Sequence, residues 1–157
     1  MSILKKNTGR YMDSTLYFQN NVNIKIIKDT KVINEINTHN LVVDSGLQRV
    51  IKYINAGLYD PVMKIAIGAG TTAPANNDTE LDDYLMEGSI IKRTEDTKKC
   101  IFEYLLGMEN LNGNALTEAG LLTDDGILFA RVVHDAINKS SLIQVLYTWT
   151  VNVGGTI

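Results

Sequence analysis

The sequence has few cysteines and prolines and no long apolar run. Its 157 residues include one cysteine, Cys100, and two prolines. A single thiol cannot form an internal disulfide, and its place in the apolar segment CIFEYLL predicts a buried, unreactive side chain. No apolar run reaches the length of about 20 residues that spans a bilayer, so membrane insertion is not predicted. The first fifteen residues contain no apolar core of a signal peptide, so export is not predicted either.

An excess of charge of one sign is also missing. The formal net charge is −3, and the lysines and arginines are scattered along the chain. A protein that follows phosphate groups needs a basic stripe, so nucleic acid is not predicted as a partner. A chain of this length buries enough surface to fold without a disulfide or a structural metal.

What the chain does contain is alternation of apolar and polar residues. In NVNIKIIKD, apolar side chains recur at period two, at Val22, Ile24 and Ile26. Asp29-Thr30 follows as a turn signal, and KVINEIN follows the turn. This arrangement predicts a β-hairpin.

One segment, NLVVDSGLQRVIKYINAGL, changes its period. Its apolar residues recur at i, i+3, i+4 and i+7, which predicts one stripe of an amphipathic helix: Leu47, Val50, Ile51 and Ile54. Ser45 and Gln48 have the spacing of a capping box at its start, and Gly57 suits its end. A second, shorter helix, TELDDYLM, is predicted to begin near Asp78 or Thr79, either of which suits an N-cap.

From about residue 90 the pattern predicts strands to the end. KKCIFEYLLGM is a strong β run, and Asn112-Gly113 after it is a hairpin signal, since both residues tolerate positive φ. Asp124-Asp125-Gly126 predicts a turn between two further strands. In SLIQVLYTWTVNV, alternate residues share one face, which predicts a strand with one side in the core: Val145, Tyr147, Trp149, Val151 and Val153.

Taken together, these patterns predict one domain preceded by an arm. Residues 1–15 are polar and aperiodic, which indicates a flexible or partner-ordered N-terminal arm. Residues 16–157 are predicted to form a single β-rich structural domain. The fold class is mainly β, an antiparallel β-sandwich with two short helices inserted in the first half, and an α+β domain is the alternative.

A glycine-rich segment imitates a nucleotide-binding site. The alternating run MKIAI ends in GAGTTA, which spells the G-x-G-x-x-A fingerprint of dinucleotide-binding folds. In such folds the glycines open a helix directly, whereas Pro74 and two asparagines follow here with no apolar stripe. We therefore predict that Gly68 and Gly70 lie at the strand end without opening a helix, that residues 71–77 are loop, and that no cofactor is bound.

Other residues raise metal or catalytic chemistry without completing a site. The acidic residues of one segment fail the spacing of a calcium-binding EF-hand loop, and a negatively charged helix start explains them: Asp78, Glu80, Asp82, Asp83 and Glu87. His39 and His134 are the only histidines and have no ligand neighbours at zinc-binding spacing, and His134 is expected to be half exposed on a strand. With no nucleophile, base and orienting residue together, we predict no enzyme and no catalytic, cofactor-binding or metal-binding residue.

Aromatic and asparagine side chains raise one alternative function, a carbohydrate-binding module that recognises a cell surface. Trp149, the tyrosines and the asparagine-rich loops at residues 76–77 and 110–114 are the features that suggest it. Trp149 stands in a regular strand between apolar neighbours, where a core position is the more frequent outcome.

The order of four segments resembles a family of tail-associated structural proteins of bacteriophages and phage-derived particles. HNLVVDSGLQRVIKYI is similar to the family's helix entry, and MKIAIGAGTTAPANNDTELDDYL to its segment with G-x-G, a proline and an aspartate. NGNALTEAGLLTDDGILFARVVHDAINKSS is similar to a segment with E-a-G-L, a-R and a late lysine, and LIQVLYTWTVNV to its closing strand. The match extends from about Asn20 to Val153.

The resemblance implies a non-enzymatic structural component of a tail, a baseplate or a fibre attachment, found in a virion or phage-like particle and made in the host bacterial cytoplasm. It implies a symmetric assembly in which the partners are further copies of the chain, as a ring or a trimer, and other tail or baseplate proteins. In longer fibre proteins a similar module looks like the attachment part, which favours a connector or baseplate role over receptor binding.

Overall fold

Two antiparallel five-stranded sheets form the described part of the protein. The computed structural model describes residues 16–155, so the predicted arm over residues 1–15 lies outside the described residues. The elements in chain order are β1 (Leu16–Lys28), β2 (Lys31–His39), β3 (Leu41–Val42), α1 (Asp44–Ala56), β4 (Val62–Gly68), β5 (Tyr84–Ser89), β6 (Lys92–Asp96), β7 (Lys99–Leu106), β8 (Ala115–Thr123), β9 (Leu128–Asn138) and β10 (Gln144–Gly155).

The first sheet, sheet A, has the strand order β2-β1-β10-β7-β6. The predicted hairpin of β1 and β2 is confirmed, and its turn residues Asp29 and Thr30 have φ values of 49° and 64°. A two-residue turn with two positive φ angles matches the twist of the strands it joins. The last strand, β10, lies at the centre of the sheet between β1 and β7, which accounts for the burial of its alternate residues.

The second sheet, sheet B, has the order β3-β9-β8-β4-β5 and packs its inner face on sheet A. One apolar core fills the space between the sheets. Its fully buried members include Tyr147 and Trp149 from sheet A and Ile65 and Ile67 from sheet B. The predicted β-sandwich is therefore confirmed as the fold class, with one helix in place of two among the described residues.

The predicted first helix is confirmed as α1, although its start differs from the prediction. The N-cap position is Val43, and no side chain caps it. The Ser45 hydroxyl instead donates to the carbonyl of Leu128 at 2.6 Å, so the predicted capping box is wrong. Gly57 ends the helix in the left-handed conformation with φ of 64°, as predicted.

Two further local predictions are wrong. Residues 79–83 are loop, and Tyr84 begins strand β5, because pairing with β4 outweighs the weak helical pattern of TELDDYLM. Asn112-Gly113 lies in a turn, but the strands on either side, β7 and β8, belong to different sheets. Turn chemistry marks where the chain reverses and not which strand it pairs with next. The turn at Asp124-Asp125-Gly126 does join two paired strands, β8 and β9, as predicted.

The outer face of sheet B is covered by the loop of residues 69–83, which we call the cover loop, together with the start of α1. A second, smaller apolar cluster lies between this layer and the sheet, formed by Val43, Ala66, Leu81, Leu122 and Leu128. Asp44 N donates to the carbonyl of Asn76 at 2.8 Å and ties the start of α1 to the cover loop. The central strand β8 of sheet B is thus covered on both faces, which explains its nearly continuous burial.

Within residues 16–155, the structure has no helix both long enough and apolar enough to cross a bilayer.

Candidate functional site

The segment that imitates a nucleotide site is a strand end followed by loop. Gly68 is the last residue of β4, and no helix begins at Gly70. The cover loop then runs from residue 69 to the start of β5, so residues 71–77 are loop. The prediction for both glycines and for this loop is confirmed, and the helix that a pyrophosphate site requires is absent from this stretch of the described chain.

An anion does occupy the place beside the glycines, and it belongs to the protein. The carboxylate of Glu118, on β8, accepts hydrogen bonds from the backbone amides of Gly70 at 2.9 Å, Asp83 at 2.7 Å and Asp82 at 3.1 Å. Glu118 is fully buried. Backbone amides that would cradle a phosphate in a nucleotide-binding protein therefore hold an internal carboxylate here.

The two glycines are needed for space. Neither has a positive φ. A Cβ atom on Gly68 or on Gly70 would lie 2.5 Å from Glu118 Oε1, and one on Gly70 would also overlap Asp82. The chain can therefore approach the carboxylate closely only where side chains are missing.

Arg131, on β9, neutralises Glu118. Its Nε and Nη2 donate to Glu118 Oε2 at 3.0 and 2.8 Å. The strand register places Arg131 opposite Gly120, two residues from Glu118 on the same face, so the pair is diagonal across β8 and β9. Arg131 is 1% exposed, so both charges of the Arg131–Glu118 pair are enclosed.

The remaining donors of Arg131 hold the cover loop. Nη1 donates to Asp78 Oδ2 at 2.8 Å, and Nη2 donates to the carbonyl of Thr72 at 3.1 Å. Asp82 Oδ2 lies 3.9 Å from Nη2. The Thr117 hydroxyl donates to the carbonyl of Gly70 at 2.7 Å and fixes the same loop from β8.

The pKa shifts follow from these contacts. Burial lowers the pKa of Arg131, but the hydrogen bonds and charges of Asp78 and Glu118 outweigh burial and raise it above its ordinary value. Burial raises the pKa of Asp78, while hydrogen bonds from the Ala75 amide and from Arg131 more than offset this and leave it lowered. Both groups are therefore held in their charged forms.

The acidic residues of the cover loop do not start a helix, so that interpretation of the cluster is wrong. Asp78 and Asp82 face Arg131, and Asp83 contributes its backbone amide to Glu118. Glu87 lies on β5 and pairs with Lys64 at the surface at 3.2 Å. Within the described residues, no group of three or more histidine, cysteine, aspartate or glutamate side chains is arranged to hold a metal ion.

The two histidines lie apart, and each has a backbone carbonyl beside its Nδ1 atom. His39 Nδ1 lies 3.3 Å from the carbonyl of Asn20 at the end of β2. His134 is buried, which corrects the prediction of a half-exposed position, because β9 is covered at this point by Tyr147 of the opposite sheet. Its Nδ1 lies 2.8 Å from the carbonyl of Asp135, and its Nε2 has no hydrogen-bond partner among the described atoms.

The exposure of Trp149 and of Cys100 tests two further predictions. Trp149 is fully buried, as its strand position predicted, and it cannot stack on a sugar. Cys100 is half buried, which corrects the prediction of a buried thiol, because its strand β7 lies next to the short edge strand β6. Burial still raises the pKa of the thiol, which favours the unreactive protonated form.

A second buried cation organises the turn after β7. Lys139 is 3% exposed, and its Nζ donates to Asn112 Oδ1 at 3.0 Å and to the carbonyls of Ser140 and Met108 at 3.0 and 3.3 Å. Gly113 N donates to the carbonyl of Lys139 at 2.9 Å. Burial lowers the pKa of Lys139. The three oxygens take up the three ammonium donors, so this site also has no free capacity for a ligand.

Sequence reasoning missed the roles of Glu118, Arg131 and Lys139. A signal was present, because TEAGLL and LFARVV each place one charge inside an apolar run, and such a charge is buried only when it is paired. Which opposite charge it meets depends on strand register, and the sequence pattern does not give the register.

The fold and this site define a β-sandwich scaffold in which the buried charges bind parts of the same chain. Surface grooves lie elsewhere, for example one of about 460 Å³ beside Asp96 to Lys99 and one of about 430 Å³ beside α1. No protein-family model, curated protein or solved structure matches the chain.

Proposed function

We propose that the protein is a non-enzymatic structural component of a phage tail or a phage-like contractile particle, with a connector, baseplate or fibre-attachment role in a symmetric assembly. The resemblance of four ordered segments is the starting point. The observation that carries the proposal is that residues which define three of those segments meet one another in the folded chain.

The first meeting point is the Arg131–Glu118 pair. One long segment supplies Glu118 from its E-a-G-L motif and Arg131 from its a-R motif, and the G-x-G segment supplies Gly70 and Asp78. Residues that come from separate motifs thus build one contact that fixes the cover loop. Motifs with this property describe a scaffold, which suits a protein whose task is to hold a shape.

Two further contacts between motif residues also lie within the chain. The late lysine of the same long segment, Lys139, binds the turn at Asn112-Gly113 where that segment begins. The glycine of the helix entry, Gly46, lies so close to Phe129 that a Cβ atom there would overlap its backbone. These motif positions are occupied by fold-determining contacts, and this supports a building block over a catalyst.

The surface supports the same proposal. Large apolar side chains of α1 and the loop after it are exposed in the single chain, among them Ile51, Ile54 and Tyr59 at 62%, 69% and 83%. Exposed apolar surface of this extent is typical of proteins that are built into an assembly. Trp149, the residue that motivated carbohydrate binding, is enclosed in the core, which argues against that alternative.

The decisive experiment locates the chain in a particle. Particles released by the producing bacterium are purified by density gradient, and the chain is quantified by mass spectrometry against a major tail protein of the same particle. We expect a fixed copy ratio across gradient fractions. An epitope inserted in the exposed β1–β2 turn at Asp29-Thr30 then allows antibody labelling in electron micrographs, and we expect label at the tail.

A matched comparison controls for trapped cytosolic protein. An abundant cytosolic protein of the same bacterium should lose its ratio to the tail protein during purification, whereas this chain should keep it. A chain that is lost with the cytosolic marker, and that gives no label on particles, would contradict the proposed function.

A further inference from the structure

The free side of strand β5, which we call the β5 edge, has no strand beside it among residues 16–155. Within that range β4 alone pairs with β5, and the pairing is regular from Met86 to Ser89. Because alternate residues of a strand turn their N–H and C=O groups to opposite sides, about half of these groups face the β5 edge. Proteins commonly protect an exposed edge with lysine or proline. The sequence of β5, YLMEGS, contains neither, so the edge can receive another strand.

Charge distinguishes the β5 edge from the edge strands of sheet A. Four exposed acidic residues lie on β5 or just before it: Glu80, Asp82, Asp83 and Glu87. The neighbouring Lys64 pairs with Glu87 at 3.2 Å, and no ion pair within the described residues involves Glu80 or Asp83. The edge strands β2 and β6, KVINEINTH and KRTED, mix both signs. A partner strand that prefers the β5 edge should therefore carry positive charge.

The arm, residues 1–15, has the complementary charge. It contains Lys5, Lys6 and Arg10 against one acidic residue, Asp13. In an extended strand, residues two or four apart face the same side, so Lys6 and Arg10 would point the same way about 13 Å apart. Every pair of neighbouring strands in sheet B is antiparallel. An added antiparallel strand can place Lys6 beside Glu87 and Arg10 near the acidic start of β5.

The start of β1, where the arm joins the sandwich, is far from the acidic start of β5. Phe18 packs on Phe129, which lines one groove together with Val62, so β1 and β4 begin at the same end of the sandwich. Asp83 lies at the other end of β4, where its carbonyl accepts a hydrogen bond from the Ala69 amide at 2.9 Å. The two points are therefore separated by the length of β4.

They are also separated sideways, which excludes the arm of the same chain. β1 lies three strand positions from β6, and β6 follows β5 after two residues, so β5 is on the β6 side of the sandwich. With about 4.8 Å between strands, about 10 Å between sheets and about 20 Å along β4, Leu16 and Asp83 are roughly 25–30 Å apart. Arg10 precedes Leu16 by six residues, which span at most about 20–22 Å. An antiparallel strand would also carry the chain after Arg10 further away from Leu16.

We propose that the arm of one copy of this chain adds as an antiparallel strand to the β5 edge of the next copy, with Lys6 beside Glu87 and Arg10 near Asp83. Backbone hydrogen bonds supply the affinity of such strand addition, and the charges select the edge. The contact joins two different surfaces, so each copy gives its arm to one neighbour and receives the arm of another. Head-to-tail contacts of this kind close into a ring or a trimer. This inference deepens the proposed function and rests on it, because it names the contact by which copies join in the assembly.

The first test measures proximity between different copies. In a Cys100→Ser background, a size-tagged chain with Leu4→Cys is co-expressed with an untagged chain that carries Ser89→Cys, and a short bismaleimide joins nearby thiols. Thr94→Cys replaces Ser89→Cys in the matched control, because Thr94 is also exposed on an edge strand, β6. We expect a covalent product of tagged and untagged chains for Ser89→Cys and none for Thr94→Cys.

The second test reverses the charges one side at a time. The full chain and its variants are compared by light scattering after size exclusion over a dilution series. We expect a closed oligomer of three or more copies for the full chain and a dissociation constant raised on the order of 10-fold for Arg10→Glu. Adding Asp83→Arg to Arg10→Glu should restore the oligomer, because the two charges are exchanged. Lys31→Glu, on the exposed β2 edge, is the control and should associate as the full chain does.

The outcomes separate this inference from the proposed function. A full chain that stays monomeric, a strict dimer, or equal cross-linking of Ser89→Cys and Thr94→Cys would overturn the arm contact even if the chain is found in particles. A chain with both Leu4→Cys and Ser89→Cys that links only within itself would overturn it as well. If the arm links to the β5 edge of another copy but the chain is absent from particles, the contact stands and the proposed function fails.

Discussion

Two neighbouring regions differ in what they bury: the outer face of sheet B buries charged side chains, and the outward side of α1 exposes apolar ones. Under the cover loop, on the outer face of sheet B, Arg131 and Glu118 are buried to 1% and 0% exposure. On the outward side of α1, the apolar side chains of Leu47, Ile51 and Ile54, which we call the α1 stripe, are exposed to solvent. In the first region each charge has hydrogen-bond partners and an opposite charge. In the second, no other part of the described chain covers the apolar side chains. Residue type alone does not decide burial; the partners available at the site do.

The comparison also separates two kinds of stabilisation. The Arg131–Glu118 pair is a contact within one chain, so its removal should change folding and leave assembly surfaces unaltered in the molecules that fold. The α1 stripe contributes little to the single folded chain, so its change should leave folding almost untouched.

The largest effect is expected from Glu118→Leu. Arg131 and three backbone amides would lose their buried acceptor, and we expect the free energy of unfolding to fall by about 3–5 kcal/mol in urea titrations. Glu103→Leu is the matched control, because Glu103 also stands on a strand and pairs with a cation, Lys92, at 3.4 Å, but at the surface. Its loss should cost less than about 1 kcal/mol. Similar losses in both variants would contradict the special role of the buried pair.

An intermediate effect is expected from Gly70→Ala. The added methyl group would lie 2.5 Å from Glu118 Oε1 and would push the cover loop outward, which we expect to cost about 1–3 kcal/mol in the same titrations. In Gly107→Ala the nearest atom is Asn110 Oδ1 at 3.4 Å, so the change should stay within about 0.5 kcal/mol. A neutral Gly70→Ala would show that the loop does not need its close approach to the carboxylate.

A smaller, pH-dependent effect is expected from His134. Burial lowers the pKa of His134 in the folded chain below its ordinary value of 6.5, and the hydrogen bond to Asp135 only partly opposes this. The unfolded chain then binds a proton more readily, so the stability contributed by neutral His134 is present above pH 6.5 and is lost progressively as the pH falls from 6.5 through the lowered pKa of the folded chain.

Urea midpoints measured from pH 8 to pH 5 test this, with His134→Gln as the comparison. The full chain should lose stability over this range, and the variant should have a flatter profile. Asp78, whose pKa is lowered, loses its contribution only as the pH falls below about 3.8, so it does not confuse the test. Equal slopes in the two proteins would show that His134 does not titrate on unfolding.

The smallest effect is expected from Ile51→Glu on the stability of the dilute single chain. Because the side chain is 62% exposed, we expect the free energy of unfolding to change by less than about 0.5 kcal/mol under conditions where the full chain is monomeric. A large loss would mean that the α1 stripe packs on its own chain, and the contrast between the two surfaces would disappear.

Local patterns in the sequence were sufficient for most of the elements. The period-two runs of β1, β4 and β10, the turn at Asp29-Thr30 and the end of α1 at Gly57 were all predicted correctly. These features depend on residues adjacent in the chain. Two of the failures, a helix at residues 79–86 and a hairpin at Asn112-Gly113, fall where the outcome depends on which distant strand the segment meets.

The sequence by itself determined that this chain is a mainly β protein with turns at Asp29-Thr30 and at Asp124 to Gly126, and that GAGTTA opens no helix. Only the tertiary structure decided what lies beside that loop. The amides of Gly70, Asp82 and Asp83 meet Glu118 because β4 and β8 are neighbours in one register, and Arg131 joins them from β9. Strand pairing over long sequence distances sets these contacts. Since pairing depends on the packing of the whole core, no local pattern encodes it.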